Sequence, residues 1–358
     1  MLEINYLAEI FLPSRSAYSV HVMKMCDNFS KQVNIKLHVF NIDPKNKIFK
    51  NYNCHNKFSI HSYGIVKNNF IGRLVYALKI FLVFFKNKKN QYFYSRSIIS
   101  ALFLSILGKN IVIEIHHDLK GFSGILFKII KNTSFFKRIK FVYISKNLKK
   151  YFNLKNKAIV LDDAVDLKNF INLKKVSKIK KTCVYCGSFT KGKGINTILQ
   201  ISKALPEINF HLYGDIENSI YDKFYFKKFT NVKYLGFSDH KNIPKILNKY
   251  PLYLMPYSKK VYVRSKNIEV SQFMSPMKLF EYMASSGILM ASNLKVYSHI
   301  LNNKNSILVE NSLTDWKKKI NSYFKYPKKF KHLSINAGKD VKQYTWNKRV
   351  EKIIEFIK

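Results

Sequence analysis

The sequence contains little arginine and few acidic residues, yet it is strongly basic. Lys and Arg together number 63 against 21 Asp and Glu, which leaves a formal net charge of +42 on 358 residues. Only six of these bases are arginine, the residue that reads base edges and binds phosphate in a bidentate manner. This scarcity, together with the lack of a recognisable binding module, argues against nucleic acid as the partner. An anionic membrane surface, a phosphorylated substrate or AT-rich genome composition remain as explanations of the charge.

Cysteine, glycine and proline are also scarce. The four cysteines, at positions 26, 54, 183 and 186, are too few and too irregularly spaced for a disulfide framework. Cys183 and Cys186 form a C-x-x-C pair inside an apolar run typical of a strand, whereas a redox pair needs a helix N-terminus and a zinc site needs two more ligands. We therefore expect buried cysteines in a reducing cytosol. Twelve glycines and eight prolines exclude collagen-like and low-complexity chains.

No apolar run reaches the ~20 residues that a membrane-spanning helix needs. The nearest, residues 74–85, is interrupted by Lys79 and followed by lysines at positions 86, 88 and 89. This pattern favours an amphipathic basic helix at the protein surface. The opening apolar run carries Glu3 and Glu9, so we expect no signal peptide. These features predict a cytoplasmic protein and allow a peripheral contact with the inner face of the plasma membrane.

Short apolar runs rich in β-formers alternate with helical patterns along the chain. A helix is indicated from Ile195, since Ile198, Leu199 and Leu205 recur at helical spacing. Strands that are apolar on both faces and alternate with helices predict parallel sheets covered on both sides, which is a doubly wound α/β fold. The predicted strands are 35–40, 92–94, 111–115, 141–144, 158–161, 182–186, 209–213, 232–235, 252–255, 288–291 and 307–309.

A lysine-rich stretch without motifs, residues 171–181, divides the chain into two halves of domain size. We interpret it as a linker between an N-terminal domain, 1–170, and a second domain that begins at residue 182. Ligands of doubly wound sheets bind beyond the carboxyl ends of the strands. Two facing domains of this kind predict a ligand cleft between them.

The glycine-rich segment from Gly187 to Gly194 follows a strand and opens a helix. Such a loop presents backbone N–H groups to an anion, and Lys193 adds a positive charge. The segment also fits the first seven positions of a P-loop, G-x-x-x-x-G-K, but the eighth, which needs a hydroxyl to hold magnesium, is Gly194. We favour an anion-binding loop; a P-loop-like nucleotide hydrolase and a plain strand-to-helix turn are the alternatives.

A second cluster of polar groups lies further along the chain. We predict a helix there with Ser275 as its N-cap, Pro276 as its first residue and a stop at Gly287. Lys278 and Glu281 are three residues apart and share one face of this helix. A lysine in the first turn opposes the helix dipole, which indicates a bound anion. A surface ion pair between the two residues is the competing interpretation.

Together these segments resemble the retaining glycosyltransferases of family 4 (glycosyltransferase group 1), which have the GT-B fold. The resemblance spans nearly the whole chain and is most specific in residues 275–284. It implies two Rossmann-like domains facing across a cleft, with a nucleotide-sugar domain at 182–335 and a C-terminal helical segment, 336–358, that packs back on the N-terminal domain. The matching segments are 16–22, 94–97, 114–116, 163–170, 185–194, 275–284 and 344–346.

The resemblance also implies a reaction. A nucleotide-diphosphate sugar would bind the second domain, and its sugar would pass, with retention of configuration, to a glycan or lipid-linked acceptor held by the first. Lys193 would neutralise the diphosphate, Glu281 would hold the ribose, and His116 would stand near the sugar. Fixed positive charge stabilises a diphosphate leaving group, so we expect no metal and no other cofactor. The remaining donor-binding candidates are Gly187, Ser188, Gly194, Ser275 and Lys278, and those for the acceptor or a phosphate are Ser16, Tyr18 and His21.

The sequence departs from the family pattern at two positions. The first glutamate of the family's E-x7-E motif falls on Phe273, and the arginine that often follows the first glycine is Ser188. The missing diphosphate cation has three candidate replacements, which are Lys278, Lys191 and Arg264.

Histidines and a glutamate of the first half have open roles. His21 is either a ligand contact or a satisfied histidine between domains. His117 should point away from the side that holds His116, because neighbouring strand residues alternate. Glu114 shares the side of His116, and we interpret it as a structural partner rather than an acid or base.

We therefore predict a glycosyltransferase of surface polysaccharide synthesis, such as capsule or lipopolysaccharide, that contacts an anionic membrane through the basic aromatic region 70–89. A P-loop-like hydrolase and a basic nucleic-acid-binding protein are the alternatives from other classes. A phosphorylase or epimerase would keep the fold and change the chemistry.

Overall fold

The computed structural model describes residues 2–45, 47–86, 91–174, 176–217, 219–262, 269–310 and 312–358. The chain forms two compact units. Unit 1 comprises Met1–Asp162 with Trp346–Lys358, and unit 2 comprises Asp163–Thr345. The predicted Lys88, Lys89 and Arg264 contributions lie outside the described residues.

Unit 1 is built on a seven-stranded sheet whose strand order is β3-β2-β1-β4-β5-β6-β7, with every described pair parallel. The strands are β1 (Glu3–Leu12), β2 (Asn34–Ile42), β3 (Ser59–Ser62), β4 (Tyr92–Ser95), β5 (Asn110–Ile115), β6 (Lys140–Tyr143) and β7 (Ala158–Val160). The helices of this stretch are α1 (Ala17–Phe29), α2 (Ile48–Asn51), α3 (Phe70–Phe85), α4 (Ile98–Ile106), α5 (Gly121–Ile130) and α6 (Lys146–Phe152).

Unit 2 repeats this design with a six-stranded parallel sheet in the order β10-β9-β8-β11-β12-β13. Its strands are β8 (Thr182–Cys186), β9 (Asn209–Tyr213), β10 (Val232–Tyr234), β11 (Leu252–Met255), β12 (Ile288–Ser292) and β13 (Ile307–Val309). Its helices are α7 (Lys168–Ile171), α8 (Ile195–Ala204), α9 (Ile243–Leu247), α10 (Met277–Ala284), α11 (Leu313–Lys325) and α12 (Lys331–Asp340).

The core of unit 2 covers both faces of its sheet, as expected for strands that are apolar throughout. Side chains alternate along β8, so Val184 and Cys186 pack into one apolar cluster while Cys183 and Tyr185 pack into the other. The prediction of buried, unpaired strand cysteines is confirmed, because Cys183 and Cys186 are buried and free. The predicted doubly wound α/β class is confirmed for both units.

Two strands of unit 1 lie outside the predicted set. β1 is a long internal strand of the sheet. Its apolar run was assessed above only as a signal peptide and not as a strand. β3 has the sequence Ser-Ile-His-Ser and lies exposed at the sheet edge, where burial imposes little apolar pattern.

The boundaries between the two units do not lie in the predicted linker, 171–181. Unit 1 ends at Asp162 and resumes at Trp346. Asp163 begins unit 2, where its N–H donates to the Ser275 hydroxyl over 3.0 Å. Val165 forms a parallel bridge with Thr345 in the same unit. Within the predicted linker, 171–181, the N–H of Ile179 donates to the carbonyl of Lys249 over 2.8 Å. Hydrogen bonds that are invisible in a lysine-rich sequence therefore place residues 163–181 and 336–345 in unit 2.

The final helix, α13 (Trp346–Ile357), returns to unit 1 and packs on α1, as predicted. A buried ion pair anchors it. Arg349 Nη2 lies 2.7 Å from Glu114 Oε1, and both side chains are almost wholly buried. Arg349 also donates to the carbonyls of Leu161 and Asp162. One guanidinium thus ties α13 to β5 and to the last residues of unit 1 before the chain enters unit 2.

Within the described ranges, no helix combines the length and the apolar character that crossing a membrane requires.

We expect Arg349→Met to destabilise unit 1 strongly. Removing one partner of a buried ion pair leaves the other charge without compensation, which costs about 3–5 kcal/mol. Lys352→Met is the matched control, because Lys352 is exposed on the same helix. Urea unfolding followed by Trp346 fluorescence, with Trp316→Phe as the common background, measures the loss. Equal stabilities of the two variants would refute the anchoring role of Arg349.

Candidate active site

The glycine loop after β8 is held tightly against the chain that follows β11. Gly192 and Gly194 have φ of +87° and +88°, in the region that favours glycine. A Cβ on Gly192 would collide with the Lys260 carbonyl, and one on Gly194 with the Pro256 carbonyl. β8 and β11 are neighbours that flank the point where the strand order reverses, which is where doubly wound sheets bind ligands.

Lys193 extends back over this loop. Its Nζ donates to the Ser188 hydroxyl over 3.0 Å, and the Ser188 oxygen lies 3.5 Å from that of Thr190. The residue that stands in place of the family's arginine therefore positions a lysine. Lys193 and Ser188 are half-buried, so the ammonium is within reach of a ligand at the mouth of the loop.

Lys278 places a second ammonium beside this loop, and it is buried. Its Nζ has no hydrogen-bond partner among the described residues. The ammonium lies 3.5 Å from the centroid of the Tyr185 ring and 5.4 Å from that of Tyr257. A Cβ on Gly187 would come within 2.6 Å of Lys278 Cε, so the absence of a side chain at Gly187 makes room for the lysine.

The electrostatic surroundings of Lys278 disfavour its charged form. Burial and the neighbouring charge of Lys193 hold the pKa of Lys278 well below its ordinary value, although Cys186 and Glu281 act in the opposite direction. These groups compensate the charge only in part, and an anion bound beside Lys278 would stabilise its ammonium form further. The lysine lies in the first turn of α10, where the helix dipole also favours an anion.

The ends of α10 differ from the sequence prediction. The N-cap is Pro276, which makes no side-chain cap bond, whereas Ser275 accepts the N–H of Asp163. The helix ends at Ala284, before Gly287. That glycine has a packing role instead, because a Cβ there would lie 2.6 Å from Cζ of Tyr253. Predictions of capping from sequence alone missed both long-range contacts.

Glu281 is held by a residue that sequence analysis did not select. Its Oε1 forms a short hydrogen bond with Nε2 of His240. His240 begins the short 3-10 helix His240–Asn242, which directly precedes α9. Glu281 is buried and the His240 side chain is 28% exposed, so the pair opens to solvent on the histidine side. Nothing in the sequence around His240 indicates this contact. The pair replaces the predicted alternative of a surface ion pair between Lys278 and Glu281.

Unit 1 gathers a different set of groups where β5 ends. Glu114 Oε1 lies 3.0 Å from His21 Nε2 and 2.7 Å from His116 Nε2, and its Oε2 accepts the Tyr94 hydroxyl over 2.6 Å. Burial alone favours the neutral acid, but His21, Arg349 and His116 hold the pKa of Glu114 well below its ordinary value. The structural role inferred for Glu114 from the sequence agrees with this geometry.

The surroundings of His116 favour its neutral form. Burial and the charge of Arg96 lower its pKa to about 3, although Glu114 opposes the shift. A neutral imidazole that donates its Nε2 hydrogen to Glu114 keeps Nδ1 as an acceptor. The side chain is 17% exposed, so Nδ1 is a candidate acceptor for a ligand hydroxyl. His117 bonds through Nδ1 to the Asp118 carbonyl instead.

The three groups His21, Glu114 and His116 lie close enough together to be tested as metal ligands. They fit a metal poorly. The guanidinium of Arg349 already occupies the same oxygen of Glu114 that both histidines approach, and a second cation there would be repelled. We interpret the cluster as a hydrogen-bonded support for His116.

The predicted loop residues of unit 1 have distinct positions. Ser16 caps α1 by accepting the N–H of Ser19, and Tyr18 accepts the N–H of Glu9 over 3.2 Å. The Arg96 guanidinium lies 3.9 Å above the Tyr18 ring. His21 is buried within unit 1, with its ring edge-on to Trp346 at 5.0 Å.

Comparison with known proteins agrees with this architecture. Residues 195–355 match the family model described as "Glycosyl transferase-like". No curated protein matches the chain by sequence.

Solved structures match the whole chain at low sequence identity. HepE of Anabaena in complex with UDP-glucose has a TM-score of 0.71 and 13% identity, over 99% of this chain and 100% of its own. TarM of S. aureus in complex with fondaparinux, α-GlcNAc-glycerol and UDP has a TM-score of 0.72 and 13% identity, over 100% of both chains. WaaG, a glycosyltransferase involved in lipopolysaccharide biosynthesis, has a TM-score of 0.67 and 9% identity over 99% of both chains.

These likenesses extend over nearly the whole chain and include both sheets, which establishes the GT-B fold. Residues 195–355 therefore match a glycosyl transferase-like domain, and the chain as a whole has the GT-B fold.

Proposed function

We propose that the protein transfers a sugar from a nucleotide-diphosphate sugar to a glycan or lipid-linked acceptor with retention of configuration, as the retaining family 4 enzymes do. The observation that carries this proposal is the buried Lys278 amino group, which lacks a hydrogen-bond partner in the described chain and lies beside the Lys193 loop. Two ammonium groups at a glycine loop suit a diphosphate, which carries more than one negative charge.

The same groups suit the chemistry of transfer. When the bond between the sugar and the diphosphate breaks, negative charge grows on the leaving phosphate. Positive groups already in place stabilise that charge without reorganisation. Lys193 and Lys278 supply it from the protein, which supports a reaction that needs no metal and no further cofactor.

Glu281 supports the assignment of the nucleotide. Its carboxylate is fixed by His240 and has a second oxygen for the hydroxyls of a ribose. His240 is therefore added to the candidate donor site as the residue that orients Glu281. Phe273, where the family has its first glutamate, is half-buried and offers no carboxylate.

We assign the acceptor to unit 1. β4 and β5 are neighbouring parallel strands, and Arg96 and His116 each follow the carboxyl end of one of them. Arg96 and the Nδ1 atom of His116 therefore lie at the same edge of the sheet. The complexes of HepE with UDP-glucose and of TarM with UDP and α-GlcNAc-glycerol support a UDP-sugar donor and a glycan acceptor. The role printed for WaaG supports a place in surface polysaccharide synthesis.

We further propose a cytoplasmic enzyme that contacts an anionic membrane through the outer face of α3 and α5. This face is apolar yet exposed: Ile71, Leu82 and Ile129 are each exposed by 67% or more. Phe70 of α3 contacts Phe122 of α5, with ring centroids 4.8 Å apart, which joins the two helices. The exposed lysines beside it are Lys79, Lys86, Lys128 and Lys131. Apolar side chains ringed by lysine complement lipid tails beneath anionic headgroups.

We predict that UDP, GDP or CDP, or one of their sugars, raises the melting temperature of the protein without added metal. Lys193→Met and Lys278→Met should each weaken the binding of that nucleotide by about ten- to a hundredfold, because each substitution removes a charged hydrogen bond to the diphosphate. Lys245→Met is the matched control, since Lys245 is exposed on α9 outside the site. Calorimetric titration gives the dissociation constants.

If no nucleotide or nucleotide sugar raised the melting temperature, the proposed donor site would be refuted. Magnesium-dependent release of phosphate from ATP or GTP, abolished by Lys193→Met, would favour a P-loop-like hydrolase instead.

We predict that the protein sediments with phosphatidylglycerol vesicles and not with phosphatidylcholine vesicles, and that salt weakens this binding. The double variant Ile71→Ser/Leu82→Ser should lose at least about tenfold in vesicle partitioning, because two large side chains no longer enter the lipid. Ile220→Ser is the control, as Ile220 is 90% exposed in unit 2. Equal losses from both variants would show that the α3 and α5 face is not the contact.

A further inference from the structure

We propose that Lys278 lacks its proton in the donor-free protein and gains it when the diphosphate binds, so that donor binding takes up a proton from solvent. The inference rests on the proposed donor site and adds a property to it, namely that one of its two cations is created by the ligand. It follows from where the structure places the side chain and what surrounds it.

The groups around the Lys278 ammonium have been brought together from four parts of unit 2. The Tyr185 ring, from β8, lies beneath it, and the Tyr257 ring, from the segment after β11, lies further off. Cys186, Lys193 and Glu281 are the titratable groups that act on its charge. Glu281 bonds to His240 rather than to the lysine. None of these contacts is a hydrogen bond to Nζ.

Such a pocket does not stabilise an ammonium by itself. Burial removes the hydration of the charge, and a single aromatic face returns only part of that loss. Lys193 adds repulsion from its own positive charge. Among the residues that the structure describes, the carboxylate that acts on the lysine is that of Glu281, and it is already engaged by His240. The pKa of Lys278 lies well below its ordinary value for these reasons, with burial as the leading cause.

A bound diphosphate reverses this balance. Its oxygens would accept the hydrogens of Nζ, and their negative charge would outweigh that of Lys193. The lysine then takes one proton from solvent, and no bond in the donor changes. Because binding and protonation are linked, the affinity for the nucleotide must fall as pH rises through the range in which the free protein lacks the proton and the complex holds it.

Gly187 is part of this device. The lysine tail occupies the space above Gly187 that a Cβ would need, so the chain reserves a path for Nζ to the loop. A fixed guanidinium, as in the family pattern, would be charged at all times. The lysine instead lets the empty site avoid a second buried charge.

Calorimetric titration of UDP, GDP and CDP at pH 8, in Tris and in HEPES, tests the inference. The two buffers differ in ionisation enthalpy, so the difference in observed heat gives the number of protons taken up. At pH 8 a terminal phosphate is already fully ionised and contributes none. We expect net proton uptake of at most about one proton per nucleotide, and a dissociation constant that rises with pH by at most about tenfold per pH unit.

Variants assign the proton. Lys278→Arg and Lys278→Met should both abolish the uptake, since neither side chain titrates in this range, while Lys245→Met should retain it. If a nucleotide binds with equal heat in both buffers, or if the uptake persists in Lys278→Met, the inference is overturned while the donor site stands. If no nucleotide binds to the unmodified protein, the donor site itself is refuted and the inference with it.

Discussion

The buried amino group of Lys278, without a hydrogen-bond partner in the described chain, is the constraint around which unit 2 arranges its site. The ring of Tyr185 lies below it, Gly187 leaves space for its tail, and Glu281 on the same helix is turned toward His240. A protein rarely buries a charge without compensation, because the lost hydration is costly. An anionic ligand supplies that compensation, and a nucleotide diphosphate supplies it at the place where the reaction needs positive charge.

Unit 1 shows the opposite arrangement. Its buried charge, Glu114, accepts hydrogen bonds from His116, Arg349 and Tyr94 and lies 3.0 Å from His21 Nε2, so these contacts compensate the carboxylate without a ligand. What the network leaves available is Nδ1 of His116, whose orientation depends on Glu114 and, through Arg349, on the last helix of the chain. The two buried groups therefore differ in role. The bonded carboxylate of Glu114 supports the fold, whereas the unbonded amino group of Lys278 is available to a ligand.

Much of this was accessible from the sequence, for reasons that are local. Apolar runs predict buried strands wherever burial is two-sided, and the glycines of the loop after β8 mark the positive φ angles that Gly192 and Gly194 adopt. Contacts between distant segments were not accessible. His240 meets Glu281 across 41 positions, and Arg349 meets Glu114 across 235. No local pattern encodes such pairs. The apolar face of α3 was visible as a hydrophobic run, but only the fold shows that α5 extends it.

The lysines that give the protein its large positive charge fall into two groups. A few lysines are placed by the fold, chiefly Lys193 and Lys278 in the proposed donor site, while those beside α3 and α5 face solvent. The most direct test is a crystal structure of the protein with the nucleotide sugar that stabilises it. The account predicts diphosphate oxygens within hydrogen-bond distance of Lys278 Nζ and Lys193 Nζ, with the ribose on Glu281. A diphosphate bound elsewhere, with Lys278 Nζ still unbonded over the Tyr185 ring, would contradict it.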